Sequence, residues 1–505
     1  MKRCSIHPRT SLLLGNTLLL VSSCSVGPNY NRPELNLPEQ YLGVSDANSP
    51  ADTKSVNSPI VSEELSRWWK NFSDAELDRI VEQALKDNLS LQTAISRIRQ
   101  ARAEQTFTRS SFFPSIGSSG QYQRERLGQR FNFSPSTGET TSASGIRETF
   151  SAGLDLSWEI DVFGGIRRAA EASGALALAE TYRARGVLIS VTAEVAATYL
   201  DLRTTQRLLD VARKNVAVQE RTLELTKSRF TGGLGTQLDV ARAEAQLANT
   251  AAEIPTLEAE QSRLTNSLAV LLGKPPETLQ QELSKSAPLP LNPPKVPAGL
   301  PSELLRRRPD VIEAEYLLAA ATSQIGVAQS DWFPKFSLTG DFGTSSREFS
   351  DLGKSASKFW SIGPTIRWPI FQGGKIVSNI EIKEEQQQQA VLGYRETVLT
   401  ALEETENSLV ALEKEQQRHE QLTKSVKANE HAVRLAKDLF NQGLVDFLNV
   451  LEAEGALFLA ESALARSDGL VSKNIVLLFK ALGGGWQDYL PEDDEKLKQA
   501  IEPKR

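Results

Sequence analysis

Val195, Leu202, Leu209, Val216, Leu223 and Phe230 recur every seven residues without a break. A sustained seven-residue apolar stripe specifies a helix packed lengthwise against other helices. From Gly165 to Phe230 the chain has about 65 residues, or ~100 Å of helix at ~1.5 Å per residue. Such a helix cannot bury itself in a compact domain and must lie along others. The same register returns 210 residues later at Thr405, Leu412, His419, Val426, Val433 and Phe440, with two polar lapses. The returning arms repeat it too: Leu457, Leu464, Val471 and Leu478 match Leu247, Ile254, Gln261 and Leu268. Pro255 interrupts one arm and predicts a bend there.

The stripe is part of a longer duplication. Leu225, Lys227, Phe230, Gly233, Leu234, Leu238 and Val240 return as Leu435, Lys437, Phe440, Gly443, Leu444, Leu448 and Val450. Glu244 and Glu454 share that offset of 210, as do Leu272-Gly273 and Leu482-Gly483. Gly164-Gly165 and Gly373-Gly374 are 209 apart, and Phe113-Pro114 and Phe333-Pro334 are 220 apart. One unit of about 210 residues is far longer than a solenoid repeat. The 505 residues therefore read as two copies of one long unit. Gly232, Gly233 and Gly235 close the first helical pair and Gly443 closes the second, because glycine accepts the left-handed conformation in which helices end.

Ahead of each long helix the period drops from seven to two. Phe150, Ala152, Leu154, Leu156, Trp158 and Ile160 alternate with polar or small residues, and Trp360, Ile362, Ile366, Trp368 and Ile370 share one parity in the second copy. Weaker strand signals precede them near residues 113–124 and 334–343. Strands of about ten residues cross a bilayer when tilted, and Trp158, Trp360 and Trp368 suit an interfacial aromatic girdle. Alternation alone favours a water-soluble antiparallel sheet with one wet face. The long helices decide for a membrane sheet. Four tilted strands cannot close a barrel, since about eight is the practical minimum, so the chain needs copies of itself.

Composition narrows the partners. A net charge of −6 argues against nucleic acid. Two Cys build no disulfide framework, and three scattered His suggest no metal cluster. Mean hydropathy is −0.31, and past the N-terminus no apolar run reaches eighteen, so no spanning helix is expected. Lys2, Arg3 and Arg9, a short apolar core of Leu12 to Leu14 and Leu18 to Val21 interrupted by Gly15 and Asn16, and small Ser22-Ser23 before Cys24 form a secretory signal. Its end resembles a bacterial lipoprotein box with Cys24 as the acylated residue. An ordinary signal with an incidental cysteine is the alternative. Cleavage before Cys24 removes three positive charges and no acidic residue, turning −6 into −9. Ser25 after the cysteine resembles an outer-membrane address. Ser73-Asp-Ala-Glu76 reads as a capping box. His419 and His431 read as structural, Glu403, Glu404 and Glu406 as a solvated or lumen-facing run, and Gln386 to Gln389 as helix surface.

Several motifs resemble the outer membrane factors, the TolC-like channels of tripartite efflux pumps, in their OprM-type lipoprotein branch. They are Cys24-Ser-Val-Gly-Pro-Asn-Tyr30 with Arg32-Pro33, Trp68-Trp69-Lys-Asn-Phe72, Leu271-Leu-Gly-Lys-Pro-Pro276, Leu300-Pro-Ser-Glu-Leu-Leu-Arg-Arg-Arg-Pro-Asp310 and Trp332-Phe-Pro334. The resemblance implies an α+β membrane protein: a homotrimeric twelve-stranded β-barrel, four strands per chain, continuous with a periplasmic α-helical coiled-coil barrel. The segments are a signal peptide at 1–23, an acylated equatorial segment at 24–72, repeats at 73–273 and 302–483, a linker at 274–301 and a charged, loosely held tail at 484–505. The second strands of the repeats are expected near 149–160 and 358–370. By motif position Leu448 and Glu452 match the apolar and acidic rings of a periplasmic gate, and Asp239 matches the acidic position of the first hairpin. Asp is usual where Glu452 stands. Arg242 is a candidate latch to a neighbouring hairpin. Gly232, Gly233, Leu234, Gly235, Thr236, Gly443, Leu444 and Val445 match the docking turns for a periplasmic adaptor. An inner-membrane proton-driven pump of the RND type is the implied further partner, with outer-membrane lipid around the barrel. No catalytic residue, metal or cofactor is expected. The implied function is an outer-membrane exit channel for small molecules. The alternatives are the exit duct of type I protein secretion and, in another class, a non-transporting coiled-coil surface lipoprotein.

Overall fold

The computed structural model describes residues 25–35, 37–38, 65–133, 140–289 and 306–487. The signal peptide 1–23, Cys24, residues 36 and 39–64 of the equatorial segment, residues 290–305 with the rest of the linker, and residues 488–505 lie outside them. Each repeat runs strand, strand, long helix, returning helix, preceded by two helices in the first copy and one in the second among the described residues. The first has α1 (Ala75–Asp87), α2 (Leu89–Ser110), β1 (Ser115–Phe133), β2 (Thr140–Ile160), α3 (Gly165–Thr231) and α4 (Gln237–Leu271). The second has α5 (Pro309–Ser330), β3 (Lys335–Ser346), β4 (Lys358–Arg367), α6 (Lys375–Asn441) and α7 (Phe447–Ala481). The duplication is quantitative in the helices: α3 and α6 each have 67 residues, and α4 and α7 each have 35. Pro255 lies inside α4, which stays one helix through it.

The chain divides into two compact units. The first, Arg99–Leu178 and Glu315–Leu392 with residues 25–33, carries the sheet. Its order is β1-β2-β3-β4, antiparallel throughout. β1 and β2 run well past the expected strand ends. Beyond Gln123 the ladder pairs Arg124 with Glu148 and Glu125 with Arg147, charged residues on both faces, so no apolar alternation marks it. An ion pair of 3.3 Å joins Arg124 to Glu148.

The second unit holds the helical core. Trp68 and Trp69 sit in a 3-10 turn (Trp68–Phe72) and are fully buried; Trp68 stacks on Phe479 at 5.3 Å between ring centroids. Val195 and Leu202 from the α3 stripe and Leu268 from α4 join the same core. The capping box expected at Ser73 does not form. Ser73 is held left-handed (φ 54) as the cap of the 3-10 turn, so α1 starts one residue later. Asp74 caps it, its Oδ1 accepting from the Glu76 and Leu77 amides at 2.9 and 3.2 Å. Tyr199 donates to Oδ2 of Asp74 at 2.7 Å, and burial pushes the phenol well above its ordinary pKa.

The Arg-Arg-Arg-Pro-Asp motif is a knot in this unit. Buried Arg308 holds Asp310 bidentately (3.1 and 2.7 Å), Glu404 at 2.7 Å and the Ala481 carbonyl at 3.0 Å. Glu404 thus has a fixed partner and is not simply part of a solvated run. Trp486 donates to the Arg307 carbonyl at 3.1 Å and lies under the Arg185 guanidinium, so the loosely held tail cannot begin before it. His419 meets the buried Asp468 at 2.7 Å, and Arg207 meets the same carboxylate at 3.2 Å, giving His419 a structural partner.

Candidate functional site

Parity decides what the sheet can do. In the register, Ile116, Leu156, Gly340 and Ile362 form one cross-strand row, and Leu154, Phe342 and Trp360 lie in the next, with Ser118 at its start. Their even-numbered positions share one face. Ile116, Leu154, Phe342, Trp360, Ile362 and Ile366 are all exposed there. The odd face is polar: Asp155 stands directly opposite Asp341, and Ser361 donates to Asp341 at 3.0 Å. A sheet with one exposed aliphatic and aromatic face and one carboxylate face suits lipid on one side and water on the other. Trp158 and Trp368 lie at the helical end, donating from Nε1 to the carbonyls of Phe112 (2.9 Å) and Trp332 (3.0 Å). Trp360 is eight residues from Trp368 on the same face, ~26 Å along the strand at ~3.3 Å per residue.

The Val-Gly-Pro-Asn motif is strapped to this unit. Val26 donates to the Phe163 carbonyl at 3.1 Å. Arg168, itself buried, donates to the carbonyls of Val26 and Gly27 at 3.1 Å each and to Asn29 at 2.8 Å. Gly27 (φ +101) crosses Gly326 so closely that a Cβ on it would come within 2.4 Å of the Gly326 Cα. Ser25 packs on Gly164, at the end of β2 and the start of α3. The residue before Ser25 is Cys24.

The hairpin tips repeat one cap twice. Leu234 donates to the Arg229 carbonyl (2.8 Å) and Gly233 to that of Phe230 (3.0 Å); Leu444 donates to Leu439 (2.9 Å) and Gly443 to Phe440 (3.0 Å). Both glycines have φ +73, a Schellman end in each case. Gly232 and Gly235 flank the first turn, and Leu234 and Leu444 project exposed while Val445 is half-buried. Thr236 caps α4 in a capping box with Asp239, whose carboxylate accepts from the Thr236 amide at 3.0 Å and hydroxyl at 2.7 Å. Asp239 therefore already has a structural task. Leu448 and Glu452 lie one turn apart on α7, both exposed and on one face. Arg242 has no ion pair among the described residues of this chain.

One charged residue of this region was not singled out from the sequence as functional. Glu454 is 3 % exposed, paired with Lys437 at 2.8 Å and accepting from the Thr222 hydroxyl at 3.0 Å. The signal for it was there, since Lys227 and Glu244 recur as Lys437 and Glu454. Arg229 lies over the Phe440 ring (4.2 Å) and donates to its carbonyl (3.3 Å), tying α3 to α6 at the tip. Elsewhere in the helical unit burial raises the carboxyl of Glu313 against the pull of Arg183, 2.8 Å away.

A family model described as outer membrane efflux protein matches residues 80–274 and again 300–484. Nodulation protein T of Rhizobium leguminosarum bv. trifolii is 33% identical over 478 residues, covering 93% of this chain and 96% of that one. Outer membrane protein OprJ of Pseudomonas aeruginosa is 31% identical over 487 residues, covering 95% and 96%. Among solved structures, the outer-membrane channel OprN superposes with a TM-score of 0.82 at 35% identity, over 92% of this chain and all of that one.

Proposed function

Because this chain belongs to the outer membrane efflux protein family and is an outer-membrane efflux channel, we propose that it works as a homotrimer whose three four-stranded sheets close one twelve-stranded barrel. The observation that carries this reading is the sheet: one apolar face, one polar face and two open edges within the chain, too few strands to close alone. Lipid covers the even face, with Trp158 and Trp368 at the periplasmic level and Trp360 at the outer one. Cys24 carries the lipid anchor, two residues before Val26 of the strap that Arg168 grips. The hairpin turns at Gly232–Thr236 and Gly443–Val445 receive a periplasmic adaptor through exposed Leu234 and Leu444, and an inner-membrane proton-driven pump feeds the conduit.

The protein conducts rather than catalyses. Three Leu448 side chains facing one axis make an apolar constriction that excludes water and ions. Three Glu452 carboxylates, one turn away, repel one another and draw cations to the closed tip. The cargo is small molecules, drugs and other toxic compounds among them.

Planar-bilayer recording tests the reading. The wild-type protein opens small channels, and the Leu448→Ala/Glu452→Ala variant opens larger ones. A variant with wild-type conductance refutes the gate, and a protein that opens no channel in either form refutes the conduit.

A further inference from the structure

The two hairpins of the sheet share a register but not a charge. β1·β2 sets Ser115 opposite Ser157, and β3·β4, 220 and 210 residues on, sets Lys335 opposite Arg367. In the first copy a neutral bond joins the pair, the Ser115 hydroxyl donating to the Ser157 carbonyl at 3.1 Å. The fold therefore needs no charge at this place. In the second copy two like charges face each other across the strands, an arrangement that costs stability. Asp331, 3.0 Å from Lys335, offsets one of them. Exposed Arg367 has no ion pair among the described residues.

The helix that follows adds to the imbalance. At the start of α3 the Asp161 carboxylate accepts from the amides of Ile166 and Arg167 at 3.2 and 2.8 Å. Counting 209 or 210 residues on from Asp161 reaches Ile370 or Phe371, so α6 begins without that acid and with Lys375 as its first residue. Lys335, Arg367 and Lys375 line one cavity of about 690 Å³ together with Asp331, three cations against one carboxylate. Pro369, Ile376 and Ile382 supply apolar lining to the same cavity. Its volume suits a drug-sized molecule.

We propose that this cavity binds an amphiphilic organic anion, its carboxylate held by Arg367 and Lys375 and its apolar body by Pro369, Ile376 and Ile382. A guanidinium fork matches a carboxylate with two parallel hydrogen bonds. The ligand brings the counter-charge that the second copy lacks, and it relieves the repulsion between Lys335 and Arg367. That the anion is cargo rests on the channel reading above, in which the odd, polar face carrying Lys335 and Arg367 lines the conduit. The cavity is then a stopping place for acidic compounds in a passage whose other wall charges draw cations.

Equilibrium dialysis of 2-naphthoate against the purified full-length protein in a nonionic detergent tests the site. The wild-type protein binds the acid, and binds its neutral amide, 2-naphthamide, roughly tenfold less. The Lys335→Ser/Arg367→Ser variant gives the second hairpin the serine pair of the first. It loses roughly tenfold in naphthoate binding and, without ligand, melts no lower than wild type. Naphthoate raises the melting temperature of the wild-type protein and not of this variant. Lys375→Gln, outside the sheet, weakens binding severalfold by itself and reads the same site should the double variant fail to fold. Unchanged binding in the variants, or equal binding of the amide, overturns the site. So does a folded double variant that melts lower than wild type, since the two cations are then structural. Inorganic phosphate that displaces labelled naphthoate as well as unlabelled naphthoate does overturns the amphiphilic class of ligand. In planar bilayers naphthoate interrupts the current through wild-type channels, and does so roughly tenfold less often through those of the double variant. Channels that open but bind no naphthoate refute the site and leave the conduit standing. Failure of the unmodified protein to open channels counts against the conduit instead, and dialysis then reads the cavity alone.

Discussion

Glu454 shows how one side chain can define a tip. Its carboxylate lies between three helices, with Lys437 and Thr222 as its partners. A buried charge that loses its counter-ion is far more damaging than a neutral replacement of both. Lys437→Met should therefore destabilise the protein by about 2–3 kcal/mol, below the full range for buried pairs because Lys437 is partly exposed. The Lys437→Met/Glu454→Gln double variant should regain most of that. Denaturant unfolding followed by helical circular dichroism measures both, and equal losses in the two variants would show that the pair does not act as an ion pair. Asp239 illustrates the opposite case. Its motif position matches the acidic ring, and one of its oxygens, Oδ2, also accepts from the Thr236 amide and hydroxyl to close the Thr236-x-x-Asp239 capping box.

At the scale of elements, the tip turns are set by glycine. Gly443 at φ +73 holds the bonds from Leu444 to Leu439 and from Gly443 to Phe440. A Cβ there strains the left-handed backbone by about 1–2 kcal/mol, and nothing within 4 Å clashes with it. Gly443→Ala should lower trimer stability by about that much, while Gly443→Asn should lower it less. If the turn docks an adaptor, drug susceptibility in cells should rise more with Gly443→Ala than a stability loss of the same size placed elsewhere in α6 would cause; equal susceptibility argues against docking. The helices and their turns were legible because period seven, glycine stops and a fixed offset are strong, redundant signals. β3 and β4 were legible because one face meets lipid and the other water. The outer halves of β1 and β2 were not, since Arg124, Glu125, Arg147 and Glu148 put charge on both parities there and leave no apolar alternation to read. The cap at Asp74 was missed for a related reason: whether Ser73 or Asp74 caps α1 depends on the 3-10 turn before it, a tertiary choice made by two buried tryptophans.

For the whole molecule, the sign of charge along the conduit sets what passes most easily. With the proposed cleavage before Cys24 the chain carries −9, and the proposed trimer about −27, a field strong enough to enrich counter-ions in a narrow, water-filled passage. Within the sheet the polar face concentrates it: Asp155 and Asp341 are cross-strand neighbours, two carboxylates per chain at one level. Lys335 and Arg367, paired at the helical end of the same face, oppose them, and Lys335 is partly neutralised by Asp331 at 3.0 Å. On the proposed gate, the acidic level acts on ions already inside the barrel, and Glu452 on those at the tip. With Leu448→Ala channels in a potassium chloride gradient, the reversal potential should take the sign of cation preference. Asp155→Asn with Asp341→Asn should reduce it without changing the conductance gain that Leu448→Ala confers. Raising the salt from 0.1 to 1 M shortens the screening length from about 10 to 3 Å, so the preference should fade with ionic strength if it arises from wall charge. A preference for chloride, or one that salt leaves unchanged, would mean that the walls do not set it and that the constriction alone chooses among ions.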